Sequence, residues 1–210
     1  MKRDEKTQIM RRKIMDSALA EFSRQGYGAS SINTICTAQN ISKGIVYHYF
    51  KTKDILYLAC VEECFQQLTE YLQTNISYEN SSIEKQLEIY FTLRTRFFQT
   101  YPVYQRIFCE AVTAPPAHLK SEIQKCKQNF DTLSTQILRQ LLTPVSLRSD
   151  ISIEDVIETF RQFQDFINIR YQMTDLNGHS FEEREENCPK ALSILLYGVI
   201  QRKEHENTNE

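Results

Sequence analysis

Apolar residues recur along the chain with helical spacing almost from its start. Ile14, Ala18, Leu19 and Phe22 fall at i, i+4, i+5 and i+8, one face of an amphipathic helix, which predicts a helix over about residues 8 to 24. Gly26 and Gly28, on either side of Tyr27, end it, because glycine supplies the left-handed backbone that closes a helix. Ser30 or Ser31 then caps a second, short helix with Ile32, Ile35 and Cys36 inward and Asn33, Thr34 and Thr37 on its polar face. Asn40 tolerates the left-handed conformation, Ile41 plugs the corner, and Ser42 caps a third helix. On that helix Val46 and Phe50 stand at i and i+4 and face inward. Lys43, Gly44, Tyr47 and His48 are left outward, with Ile45 at the margin. Two short helices joined by so tight a corner predict a helix-turn-helix.

From Thr52 the periodicity runs on through Leu56, Ala59, Cys60, Phe65, Leu68 and Leu72 and stops before Asn80-Ser81-Ser82. Further helices are predicted over about 82 to 100, 103 to 113, 118 to 142, 153 to 173 and 189 to 204. Starts are marked by Pro102, Ser152-Ile153-Glu154-Asp155 and Cys188-Pro189. Ala114-Pro115-Pro116 and the polar stretch 174–187 read as loops. The expectation is all-α: a three-helix helix-turn-helix module over 1–52 joined to a larger helical body over 53–210.

Composition agrees. Glycine and proline number only 5 each in 210 residues, which leaves little turn material for many short strands. With 41% apolar and 25% charged residues the chain can bury a core. Six Lys/Arg lie in the first thirteen residues without the apolar block of a signal peptide, and no run has the length of a membrane span. A soluble, cytoplasmic protein is therefore expected. The six cysteines (36, 60, 64, 109, 126 and 188) are scattered and read as reduced. Cys60 and Cys64 share a helix face, but with no second ligand pair nearby they read as packing, and neither a metal nor a cofactor is expected.

The net charge of -2 hides an asymmetry. Residues 1–55 hold ten Lys/Arg against five Asp/Glu, a balance of +5, while the remainder holds fifteen against twenty-two, a balance of -7. A basic small lobe on an acidic large one points the first lobe at a polyanion. The outward face around Gly44 agrees. Glycine inside a helix costs about 1 kcal/mol against alanine, which makes sense where a backbone must approach another surface closely. Thr52-Lys53-Asp54 caps the fourth helix, whose free N–H groups suit a phosphate.

The stretch from Arg12 to Leu58 resembles the DNA-binding domain of TetR-type bacterial transcription regulators. The likeness rests on Phe22, Gly26-Tyr27, Ser30-Ser31, Ile35, Ile41-Ser42-Lys43-Gly44, Tyr47-His48-Tyr49-Phe50 and Lys53-Asp54-Ile55-Leu56. Gln39-Asn40 stands where the family usually carries Ala-Gly, and Cys36 where it carries alanine. The resemblance implies binding to a double-stranded DNA operator. Ser42, Lys43, Gly44 and Ile45 would lie at the floor of the major groove, while Ser31, Tyr47, His48, Thr52 and Lys53 would hold phosphates. Tyr49 reads as core. The run Lys2, Arg3, Lys6 is either a frayed tail or a minor-groove arm.

The last two helices carry broad apolar faces. The family pattern makes them a homodimer interface, for which Phe160, Ile167, Leu192, Leu195, Leu196 and Val199 are the candidates. An aromatic belt with interspersed arginines lies between. Ordinary core accounts for any one member, but Arg94, Phe98, Tyr104, Phe108, Phe130 and Phe163 together are a candidate pocket for a small apolar or aromatic effector. A ligand-responsive repressor is the reading that follows. An enzyme fails on inventory, with no Gly-x-Ser-x-Gly and no phosphate-cradling glycine loop. A helical scaffold without DNA affinity is the alternative, and it leaves the basic lobe and Gly44 unexplained.

Overall fold

The computed structural model describes residues 3–77 and 82–174, apart from the side chains of Arg3, Glu84 and 164–174. Among these residues the chain is helical and no strand occurs. The helices are α1 (Arg3–Ala29), α2 (Ile32–Ala38), α3 (Lys43–Tyr49), α4 (Lys53–Asn75), α5 (Ile83–Thr100), α6 (Val103–Thr113), α7 (Lys120–Cys126), α8 (Gln128–Leu142) and α9 (Ile153–Thr174), with a single 3-10 turn at Ala117–Leu119. The described residues divide into two compact units, one of residues 3–76 and 93–133, the other of 77, 82–92 and 134–174. The helix-turn-helix thus shares its unit with α4, α6 and α7.

Two predicted elements need correction. α1 begins about five residues before the predicted start, because the exposed residues of its first turns continue the helix without burying anything. The single helix expected over 118–142 is instead a 3-10 turn, α7 and α8, interrupted at Lys127. Apolar periodicity persists through such a kink and does not register it. The helix predicted over 189–204, the loop beyond Thr174 and Cys188 lie outside the described residues.

In the first unit the predicted stripe of α1 is the core: Ile14, Ala18 and Phe22 are fully buried and Leu19 nearly so. Buried in the same unit are Ile35 and Cys36 of α2, Val46 of α3, Phe50, and Leu56, Tyr57, Cys60 and Val61 of α4. Phe22 and Tyr57 pack edge to face at 5.1 Å. Polar bonds bind α1 to the helix-turn-helix. The Ser17 hydroxyl donates to the Ile35 carbonyl at 2.7 Å, and the buried Glu21 accepts from the Ser31 N–H at 3.1 Å. Cys36, Cys60, Cys64, Cys109 and Cys126 form no disulfide. Burial pushes the Cys60 and Cys64 thiols up, as fits packing residues. In the second unit, Ser152 and Asp155 cap α9 reciprocally, Phe160 is buried with its ring 6.1 Å from that of Phe91, and Tyr90 meets Ser134 at 3.0 Å.

Gly26 breaks α1 at φ 72, ψ 176, a region open essentially to glycine alone. Tyr27, just beyond, is held from several sides. Its N–H donates to both Glu110 oxygens, at 3.1 and 2.9 Å, and its hydroxyl donates to Asp54 and lies 3.2 Å from His118 Nε2. His118 Nε2 is also 3.4 Å from the other Asp54 oxygen. The Lys53 ammonium sits 4.5 Å from the center of the Tyr27 ring. Desolvation, and then the hydrogen bond to Asp54, push the Tyr27 phenol up to about 12.

Two predictions follow from this corner. A Cβ at Gly26 would sit 3.2 Å from Glu110 Oε1 at a positive φ, whereas one at Gly28 meets nothing within 4 Å. Gly26→Ala should therefore destabilize the protein by about 1–3 kcal/mol, and Gly28→Ala should stabilize it by up to about 1 kcal/mol, as read by chemical denaturation. The second concerns pH. A phenol whose folded pKa is raised keeps a proton that the unfolded chain releases, so its contribution is complete below pH 10 and is lost as pH rises toward about 12. Burial pushes Tyr57 and Tyr104 up as well. Stability should fall across that window, and less steeply in Tyr27→Phe, which has no proton to lose there.

Candidate nucleic-acid interface

α2, α3 and α4 each begin on a hydroxyl cap. Ser31 settles the choice at α2: its Oγ accepts from the Asn33 N–H at 3.1 Å, while the buried Ser30 donates back to the Tyr27 carbonyl. Ser42 Oγ accepts from Ile45 N at 3.4 Å and Thr52 Oγ1 from Ile55 N at 3.1 Å. Capping takes a lone pair and not the hydroxyl proton, so all three can still donate to a phosphate oxygen.

The corner between α2 and α3 depends on Asn40 at φ 52, the one non-glycine residue with positive φ among the described residues. Its N–H bonds the Thr37 carbonyl at 3.2 Å and the Ile41 N–H bonds the Cys36 carbonyl at 2.8 Å, the paired closure of a Schellman motif. Ile41 is buried as the plug. A tight reversal follows, and α3 is presented beside α2.

On α3, Val46 is fully buried, Phe50 behind it is 2% exposed, and Tyr49 is half-buried. Lys43, Gly44, Ile45, Tyr47 and His48 are exposed, with Ile45 at 38% and Tyr47 at 42%. Two large apolar side chains are thus held in water beside a lysine and a histidine. The fold gives no reason for glycine at position 44: its φ is not positive, and the nearest atom to an added Cβ is Ser42 Oγ at 4.0 Å. Asn33, Thr34 and Thr37 of α2 are exposed as well.

At the start of α4, Lys53 is half-buried and its Nζ donates to the Ser30 carbonyl at 2.8 Å. That bond ties α4 to the beginning of α2 and uses one of the three ammonium donors. Arg11 of α1 lies 5.2 Å from the Phe50 ring center, placing a further cation behind α3.

The residues expected at an effector site are partly gathered. Phe108 lies 5.0 Å from Phe98 and 5.9 Å from Phe130 between ring centers, and the buried Arg94 guanidinium stands 5.5 Å from the Phe108 ring. Phe65 of α4, read from the sequence only as part of a helix stripe, completes the cluster at 5.5 Å from Phe108 and 5.6 Å from Phe130. Tyr104 faces elsewhere. It stacks on Phe97 at 5.8 Å and donates its hydroxyl to Glu63 at 2.7 Å, and Glu63 also pairs with Arg12 at 2.8 Å. Phe163 is half-buried in the second unit. Of the residues expected at a dimer interface, Phe160 packs inside its own chain, the Ile167 side chain is outside those described, and Leu192, Leu195, Leu196 and Val199 lie outside the described residues.

Among the described residues no helix is long and apolar enough to cross a membrane. The polar residues around Tyr27 (Asp54, Glu110 and His118) were missed by sequence reasoning. They are 27 to 91 residues from it in the chain, and no spacing marks so distant a partner.

Residues 14–60 match the family model for bacterial regulatory proteins, tetR family, a span that runs from α1 into α4 and includes the whole helix-turn-helix. The biofilm operon icaADBC HTH-type negative transcriptional regulator IcaR of Staphylococcus epidermidis is 28% identical over 141 residues, 67% of this chain and 74% of that protein. IcaR of Staphylococcus aureus is 30% identical over 96 residues, 44% of this chain and 52% of its own, so that match spans about half its length. In fold, the chain is similar to the transcriptional regulator FadR from Bacillus subtilis in complex with stearoyl-CoA, with a TM-score of 0.69 at 15% identity over 89% of this chain and 98% of that one. The family match falls on the very segment that presents α3 to solvent: residues 14–60 carry a DNA-binding domain of the tetR-family type, and the protein is a DNA-binding transcriptional regulator.

Proposed function

We propose that the protein is a cytoplasmic, homodimeric repressor that reads an operator with α3 and leaves it when a small apolar or aromatic effector binds the body. Residues 1–52 read DNA, and residues 53–210 bind the effector and the second subunit. The observation that carries the DNA reading is the outward face of α3, where a helix-weakening glycine stands between exposed Lys43 and Ile45 although the fold leaves room for a side chain. Lys43, Gly44, Ile45 and the Ser42 cap lie at the groove floor, Ile45 against a thymine methyl. Ser31, Tyr47, His48 and Thr52 hold phosphates, and Lys53 adds its remaining ammonium donors to them.

Dimerization is supported by physics. One seven-residue reader helix makes few base contacts, and a second, one helical turn of DNA away, doubles them. Repression is supported by the names of the relatives, which are negative transcriptional regulators. The effector reading rests on the aromatic cluster of Phe65, Phe98, Phe108 and Phe130 around buried Arg94. The FadR neighbor, solved with stearoyl-CoA, shares the fold.

Selecting fragments of genomic DNA with the full-length protein, followed by mobility shift, tests the reading directly; failure to enrich any duplex would defeat it. With an operator in hand, Gly44→Ala should move two measurements in opposite directions. Stability should rise by up to about 1 kcal/mol, because alanine is the better helix former, while operator affinity should fall because the added methyl holds the backbone off the groove. Lys43→Ala should cost roughly 1–3 kcal/mol on the operator and little on random DNA, as for a base contact. A uniform loss on both duplexes would reassign Lys43 to the phosphates.

A further inference from the structure

The break in α1 leaves backbone groups that its own helix ladder does not satisfy. α6 meets them from one face. Arg106 Nη1 donates to the Arg24 carbonyl at 2.8 Å and Nη2 to the Gln25 carbonyl at 3.4 Å. One turn further along, Glu110 accepts the Tyr27 N–H on both oxygens. A guanidinium thus meets the carbonyls before Gly26, and a carboxylate meets the first N–H after it. Glu110 Oε2 also accepts from the Tyr57 hydroxyl at 3.1 Å, so one carboxylate holds α1 and α4 together. The opposite face of α6 (Tyr104, Ile107, Phe108 and Ala111) is buried.

The direction of the chain at this break is passed on to the reader. Residues 27–31 lead directly into α2, Ser30 is tied to the Tyr27 carbonyl and to Lys53, and the Ser31 N–H is tied to Glu21. α2 then carries α3 through a corner closed by backbone bonds. A change in the angle at Gly26 therefore tilts α3.

We propose that Arg106 and Glu110 are positioning residues for operator recognition: from α6 they set the angle at which α1 leaves the Gly26 break, and so the pitch of α3, without touching DNA. The proposal rests on the reading of α3 as the DNA-reading helix. It concerns groups on the body that the family match, which ends at residue 60, does not reach.

The test uses the full-length protein, an operator duplex selected by the parent, and a random duplex of equal length. Arg106 is exposed, so Arg106→Met removes the carbonyl contacts without opening a core cavity. It should lower operator affinity by about tenfold, the scale of one charge-assisted hydrogen bond. Affinity for the random duplex and the salt slope should stay within about twofold, because the phosphate contacts are unchanged. Arg106→Lys, whose ammonium can still reach the Arg24 carbonyl, should recover most of the loss. Glu110→Gln keeps an acceptor for the Tyr27 N–H and should bind like the parent, whereas Glu110→Leu should lose at least as much as Arg106→Met. Should Glu110→Leu fail to fold, the arginine pair decides. A folded Arg106→Met protein that holds the operator within about twofold of the parent overturns the proposal, and so does an equal loss on both duplexes, which would make Arg106 a phosphate contact. Failure of the parent to select any duplex would overturn the DNA-binding reading and this proposal with it, whereas a parent and variants that bind equally overturn this proposal alone.

Discussion

A seven-residue helix does not hold its shape in water, because nucleation costs more than so few hydrogen bonds return. α2 and α3 are both of this length. What keeps α3 helical is the burial of Val46 and Phe50 in the core of the first unit, assisted by the Ser42 cap and the closed corner at Asn40. Its solvent face is thereby released from any structural duty. That release is why Lys43, Gly44, Ile45, Tyr47 and His48 can be chosen for an external surface, and why a helix-weakening glycine is tolerated there.

The same dependence makes the reader only as well placed as the helices behind it. Ser17 and Glu21 hold α2 onto α1, Lys53 holds α4 onto the start of α2, and Arg106 with Glu110 holds the end of α1. Most of these are bonds between a charged side chain and a backbone group, which are directional and stronger than neutral pairs. They fix orientation, where apolar burial alone would fix only proximity. Lys53 illustrates the overlap of roles, since its ammonium holds the corner and still has donors to offer an anion.

In the body, α6 presents Phe108 to an aromatic cluster on one face and Arg106 and Glu110 to the broken end of α1 on another. Tyr104 on the same helix reaches α4 and α1 through Glu63 and Arg12. Because these groups share one helix, a small shift of it would be felt both in the aromatic cluster and at the broken end of α1.

Much of this was legible in the sequence because it depends on near neighbors in the chain. Helical stripes, the caps at Ser31, Ser42 and Thr52, the left-handed Asn40, and the division of α3 into an inward pair and an outward set all follow from spacings of eight residues or fewer. Periodicity could not show the interruption at Lys127, which leaves the apolar pattern intact, nor choose between Ser30 and Ser31 as the cap. Tertiary structure alone decided which distant groups meet: Glu110 on the Tyr27 amide, Arg106 on the Arg24 carbonyl, Asp54 and His118 on the Tyr27 hydroxyl, and Phe65 among the aromatic rings while Tyr104 turned to Glu63. The reason is physical. Local backbone preferences and amphipathic faces are properties of a short segment, whereas a hydrogen bond between residues 83 positions apart exists only once packing has set the angle between two helices.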